Sequence, residues 1–158
     1  MVILVGTSGF VRGRGCYPQR LKSPSEGDRI GSWSQSRLTG PGMGILVEKS
    51  FSASKDDVLT DIRNNSTWPT TFVSPAYPGV EVHWHSQDVC AYVMEGETSF
   101  FDGDSGDTTQ VGPGDKVTIP KRTLHAEGEV KDRVVYIIGM PEPLLTRDFL
   151  KIHRPEEL

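Results

Sequence analysis

Residues 80–96 read VEVHWHSQDVCAYVMEG, and residues 114–125 read GDKVTIPKRTLH. His83 and His85 stand one residue apart. Side chains on an extended strand repeat with period two, so both imidazoles leave the same face. His125 gives a third imidazole somewhere to converge. Three neutral imidazoles on rigid strands form a cap for a divalent iron, zinc, nickel, manganese or copper ion, with positions left open for substrate or water.

Outward from this pair of stretches the period of two persists. Thr71 to Ser74, Val80 to His85, Cys90 to Met94, Thr98 to Asp102, Lys116 to Ile119, Ala126 to Val130 and Arg133 to Ile138 read as short strands separated by Gly, Pro or Asp. Strands at this spacing predict a sandwich or a barrel. On the strand from Cys90, one face carries Cys90, Tyr92 and Met94 and the other Val89, Ala91 and Val93. The pattern does not say which is inward. DGDSGD, at 102–107, has the look of a calcium loop but lacks the later glutamate of an EF-hand, and its place between two strands predicts a hairpin turn. Ahead of the strands, Ser54 and Asp57 form a capping box for a short helix with Val58, Leu59 and Ile62 on one face, ending near Asn64 and Asn65. The prolines of 141–158 predict a strap along the barrel or a contact with a second copy.

His83, Trp84 and His85 followed by YVMEG, with Gly114, Pro120 and His125 downstream, resemble the two motifs of the cupin family, at 79–96 and 112–125. The resemblance covers about residues 70 to 140. It implies an all-β fold, the double-stranded β-helix or jelly-roll barrel, here with a short N-terminal helix. It also implies that His83, His85 and His125 are metal ligands. The sequence departs from the family where a glutamate is expected after three or four intervening residues beyond the second histidine; Val89 and Cys90 stand there. Asp88 lies one residue early and is a candidate ligand with a turn residue as its ordinary role. Glu81 shares the face of His83 and His85, and Glu127 that of His125, so each is a candidate fourth ligand or general base. Without any of these acids the site has three neutral ligands, which leaves a divalent ion its full charge and favours an anionic, chelating substrate. Lys121 and Arg122 occupy the turn where the family has glycine; a positive φ at Arg122 is costly. They read as a solvated turn. Trp84, opposite the histidines, reads as core, and His153 in the charged tail carries no assigned role.

Composition bounds the rest. A chain of 158 residues accommodates one domain with a core. Residues 1–42 carry Arg12, Arg14, Arg20, Lys22, Arg29 and Arg37 against Glu26 and Asp28, lack periodicity, and read as a non-core extension to a domain spanning 43–158. Met43 is an alternative native start. MVILVGTSGF lacks a preceding basic region, so a signal peptide is not expected. No apolar run approaches the ~20 residues of a membrane span, and the net charge of −4 argues against a nucleic-acid partner. Cys16 and Cys90 form no disulfide framework, which suits the cytoplasm. The expectation is a metal-dependent, dioxygenase-like oxidoreductase acting on a small oxygen-rich or aromatic acid, with iron as first choice and zinc, nickel or manganese as alternatives. A lyase or isomerase and a non-catalytic binding barrel are the competing readings; a homodimer is the expected assembly.

Overall fold

The structure, a computed structural model, describes residues 44–158. The readings made for residues 1–42, and the start at Met43, lie outside the described residues. The elements run β1 (Leu46–Glu48), α1 (Lys55–Asn64), β2 (Trp68–Tyr77), β3 (Val89–Glu95), β4 (Thr98–Asp102), β5 (Thr108–Val111), β6 (Lys116–Ile119), β7 (His125–Glu127) and β8 (Val130–Met140), with a 3-10 turn at Pro155–Glu157. All pairings are antiparallel: one sheet has the order β1-β6-β3-β8-β2 and the other β5-β4-β7. Strands distant in sequence lie side by side, as the jelly roll requires.

Register decides what each face does. Ala91 pairs with Ile138 on one side and Val117 on the other, and these side chains enter a core with Val89, Val93, Phe100, Ile119, Val134 and Tyr136. The alternate residues face the other way: Tyr92 and Ile137 pack with Val58 and Ile62 of α1, with Phe51, Cys90 and Met94 beside them. The inward face of β3 is thus the Val89, Ala91 and Val93 face, and Cys90 lies under the helix, outside the barrel interior. Tyr92 also donates a 2.6 Å hydrogen bond to Asp61 on α1. The helix begins where the capping box predicts. Ser54 Oγ accepts from Asp57 N at 3.3 Å, and Asp57 Oδ2 accepts from Ser54 N at 2.9 Å.

Two turns need glycine. Gly96 closes the turn between β3 and β4 with φ +80°, where a Cβ would lie 2.1 Å from the Arg133 carbonyl oxygen. Gly114 has φ +91°, and a Cβ there would meet the Ser52 oxygen at 2.8 Å. Beyond Asp102 the chain turns back into β5, and the Asp102 carboxylate accepts from Asp104 N and Ile45 N. The DGDSGD stretch is a hairpin turn. Arg122 does adopt the costly positive φ, at 66°. Arg122 is exposed, as a solvated turn requires, and its guanidinium lies over the Trp84 ring at 5.5 Å and donates to the Leu158 carbonyl, contacts that hold the strained residue.

Val80 to His85, read above as a strand, makes only isolated bridges: His83 with His125, and Trp84 with His153. The second bridge joins the strap to the barrel. His153 stacks on Trp84 at 4.3 Å between ring centroids, and the Trp84 indole donates to the Arg154 carbonyl at 2.9 Å. Leu144, Phe149 and Leu150 pack on the barrel core.

Candidate metal centre

His83 and His125 exchange both backbone hydrogen bonds, N to O at 2.9 Å in each direction. Residues paired in this way present their side chains on the same face of a sheet. Two positions along from each, His85 and Glu127 return to that face. The four residues come together from the 83–85 segment and β7, and one ligand atom of each lies within 4.8 Å of every other. The imidazole centroids are 4.4 to 5.0 Å apart. His83, His85 and His125 are buried, and Glu127 is half-buried.

The tautomers follow from the partners. Each Nδ1 lies against a backbone carbonyl: His83 against Glu81 O at 2.8 Å, His85 against Lys151 O at 3.0 Å, and His125 against Thr123 O at 2.9 Å. A carbonyl oxygen only accepts, so each Nδ1 carries the proton. That leaves each Nε2 for the centre, the arrangement in which a metal-ligating histidine donates its other nitrogen to a carbonyl. Burial lowers the proton affinity of His85 and takes that of His125 down to a pKa of about 3, so the His125 ring stays neutral in ordinary buffers.

The fourth group is anionic in kind. Glu127 brings Oε2 to 3.5 Å from His83 Nε2 and Oε1 to 3.9 Å from His125 Nε2. Neither is a hydrogen bond: His83 Nε2, His125 Nε2 and Glu127 Oε2 are buried without a partner among the described residues. Lone pairs facing lone pairs in a buried site are costly unless an electron-poor centre lies among them. A divalent cation answers this need, and the donor set of three imidazole nitrogens and one carboxylate oxygen suits a first-row transition metal. These residues fit an ion.

The other candidate acids are elsewhere. Asp88 accepts the backbone N–H of Lys121 at 2.8 Å and is not among the converging atoms. Its short side chain fastens the turn after β6. Glu81 is exposed; its backbone carbonyl orients His83, and its carboxylate is not among the converging atoms. Two contributions were not read from the sequence. The strap supplies the Lys151 carbonyl that orients His85, and Trp84 with His153 docks that strap. A backbone acceptor from a distant segment leaves no mark in residue type.

Two facing antiparallel sheets in jelly-roll order, with the histidines of both motifs converging on the inner face, decide the fold. The chain has the cupin fold. No family model matches it, and no curated protein does. Among solved structures it is similar to a DUF861 family protein from Thermotoga maritima, at 13% identity and a TM-score of 0.45, with 61% of this chain and 98% of that one covered. It is also similar to the polyketide cyclase RemF from Streptomyces resistomycificus, at 26% identity and a TM-score of 0.41, with 52% and 63% covered. A third is KdgF from Halomonas sp., at 19% identity and a TM-score of 0.41, with 66% and 84% covered. In this chain the acid that joins the cluster stands on β7, two residues after the last histidine, and not on β3.

Beside the cluster lies a cavity of about 290 Å³. His83, His85 and Glu127 form its polar end; Val89, Ala91, Phe100, Ile119 and Ile138 line its walls. Leu150 and Ile152 of the strap border it as well. Among the described residues no helix is long and apolar enough to cross a membrane.

Proposed function

We propose that this cupin is a metal-dependent enzyme, an oxidoreductase of dioxygenase type acting on a small aromatic or oxygen-bearing molecule. The observation that carries the reading is the convergence of three imidazoles and the Glu127 carboxylate at the polar end of a largely apolar cavity. Iron is the first choice of ion. Four protein donors leave two positions on a six-coordinate ion, enough for a substrate and a small co-substrate, whereas they complete the tetrahedron of a structural zinc. When bound, the ion supplies Lewis-acid polarisation and, for iron, one-electron chemistry.

The protein's own groups do the rest. Three carbonyls, those of Glu81, Thr123 and Lys151, hold the imidazoles in the tautomer that ligates. The apolar walls keep water from the reacting atoms. Glu127 serves as fourth ligand, and the oxygen it leaves free is the nearest carboxylate to accept a proton from a substrate held at the centre. The assembly we propose is a homodimer: among the described residues β2 is an edge strand that pairs only with β8 and exposes Trp68 and Val73.

The test is anaerobic loading of the purified protein with ferrous iron, zinc, nickel or manganese in turn, followed by oxygen consumption against a panel of small aromatic substrates. Oxygen uptake with iron that is lost in His125→Ala supports the proposal. Product formation without oxygen uptake, with zinc or nickel bound, replaces it by a lyase or isomerase. No turnover with any ion leaves a binding barrel.

A further inference from the structure

The cavity beside the candidate centre carries more information about its ligand than the centre does. Four of its lining residues are aromatic, Phe72, Tyr77, Phe100 and Tyr136, and most of the others are aliphatic. Among the described residues that line it there is no lysine and no arginine. The basic residues of the turn after β6 are placed elsewhere. Arg122 is held over Trp84 and on the Leu158 carbonyl, and Lys121 is exposed. The one ionisable acid in the wall is Glu127, whose sign repels an anion.

These facts weigh against the anionic, chelating substrate expected of a site with three neutral ligands. That expectation required three neutral ligands and a divalent ion with its full charge. Glu127 in the cluster cancels one of the two charges, and its carboxylate sits where an anionic ligand would have to approach. An anion entering this cavity loses its hydration and meets no cationic side chain. An uncharged aromatic ring loses little and gains contact with the walls. Away from the His83, His85 and Glu127 end, the polar groups of the lining side chains are hydroxyls: Ser74, Tyr77 and Tyr136. Tyr136 is buried and stacks with Phe72 at 6.3 Å between centroids, which fixes its ring.

We propose that the cavity is the substrate site of the metal centre and selects an uncharged aromatic molecule of one or two rings, whose single oxygen takes a hydrogen bond from Tyr77. A volume of about 290 Å³ sets the size, at the lower edge of the range for small-molecule pockets. Burial, followed by the nearby Glu127 charge, raises the Tyr77 hydroxyl to a pKa of about 12, so it remains a donor through the neutral range. The proposal rests on the metal-site reading for its location but not for its selectivity, and the two separate by experiment.

The experiment is titration calorimetry of the full chain with 2-naphthol, 2-naphthoate and naphthalene, in the zinc-loaded and the metal-free protein, with zinc content measured on the same samples. The naphthol is expected to bind at least about tenfold more tightly than the naphthoate in both forms. Ile152 lines the cavity and is 51% exposed, so Ile152→Lys adds a cation at the rim without burying it. This variant is expected to shift the preference towards the naphthoate by about tenfold or more. Tyr77→Phe is expected to weaken 2-naphthol several-fold and leave naphthalene unchanged, a difference that a general loosening of the wall would not produce. Naphthoate binding as tightly as naphthol in the wild type, no binding of either, or a preference unmoved by Ile152→Lys overturns the inference. Failure to take up zinc, with the naphthol preference intact, overturns the metal reading alone.

Discussion

Exchange of Glu127 for glutamine keeps the shape of the side chain and removes the charge, and its effect should change sign with the ion. Glu127 Oε2 is buried and has no partner among the described residues, beside His83 Nε2, likewise unpartnered, so without an ion both groups stay unsatisfied. An unsatisfied buried polar group costs about 1–3 kcal/mol, more when charged. The side chain is 20% exposed, which screens the charge and argues for the lower end. A glutamine amide can donate to the imidazole lone pair, so Glu127→Gln should stabilise the metal-free protein by about 1 kcal/mol. With the ion bound the balance reverses. Outer groups that merely orient ligands change metal affinity about 10–100-fold, so loss of a charged ligand should cost roughly 100-fold or more, about 3 kcal/mol. With free ion in excess of both dissociation constants that loss enters folding stability directly. The variant should then be about 2 kcal/mol less stable than the wild type, the difference of the two effects. Urea unfolding at pH 7, run once with a chelator and once with excess ion, measures both. A variant less stable than the wild type in both conditions would refute the reasoning, since Glu127 would then be a packing or hydrogen-bonding residue.

Trp84→Phe removes the indole donor to the Arg154 carbonyl and loosens the strap whose Lys151 carbonyl orients His85; it should cost about 1 kcal/mol of stability and about tenfold or more in metal affinity, read by unfolding and by competition with a chelating dye. Asp115 accepts from Lys49, Ser50 N and Gly112 N, and although burial alone would raise its carboxyl, these bonds hold it below the usual range. Its folded pKa is depressed, so the stability it gives is present at neutral pH and is lost as pH falls below about 4 through the folded value; Asp115→Asn should be less stable at pH 7 and lose less on acidification, with equal slopes on the acid limb counting against the assignment. Cys90 packs under α1, outside the cavity, so Cys90→Ala should leave metal content and turnover unchanged; loss of either would place the thiol in the chemistry. Ser54→Ala should cost about 1 kcal/mol by removing the cap of α1, measured by thermal unfolding, and an unchanged midpoint would mean the helix is held by packing alone.

Much of the barrel was legible because alternation survives in strands that bury one face. Thr98–Asp102 and Lys116–Ile119 run over the residues the alternation marked, and the helix starts where Ser54 and Asp57 form their box. β1 and β5 were not read. Leu46–Glu48 is too short to show a period, and Thr108–Val111 lies behind a run of turn residues with one buried side chain. The Val80 to His85 stretch has the pattern of a strand but makes only bridges, because its hydrogen bonds are divided between β7 and the strap. In the cluster, parity put Glu127 on the face of His125, and the register of His83 with His125 turned that face towards the other histidines. Which of Glu81, Asp88 and Glu127 would arrive there depended on that register. No local pattern carries it. The positive φ at Arg122 was recognisable as a cost, but the stacking on Trp84 that sustains it joins residues distant in sequence.

The central claim is that His83, His85, His125 and Glu127 hold one ion. Its most direct test is elemental analysis of protein purified without added metal or a nickel column, beside His83→Ala and His125→Ala with their folding checked by circular dichroism. The account predicts close to one transition-metal ion per wild-type chain, with iron foremost, and almost none in either folded variant. A metal-free wild type that binds none of these ions on titration, or an ion retained by both variants, would contradict it.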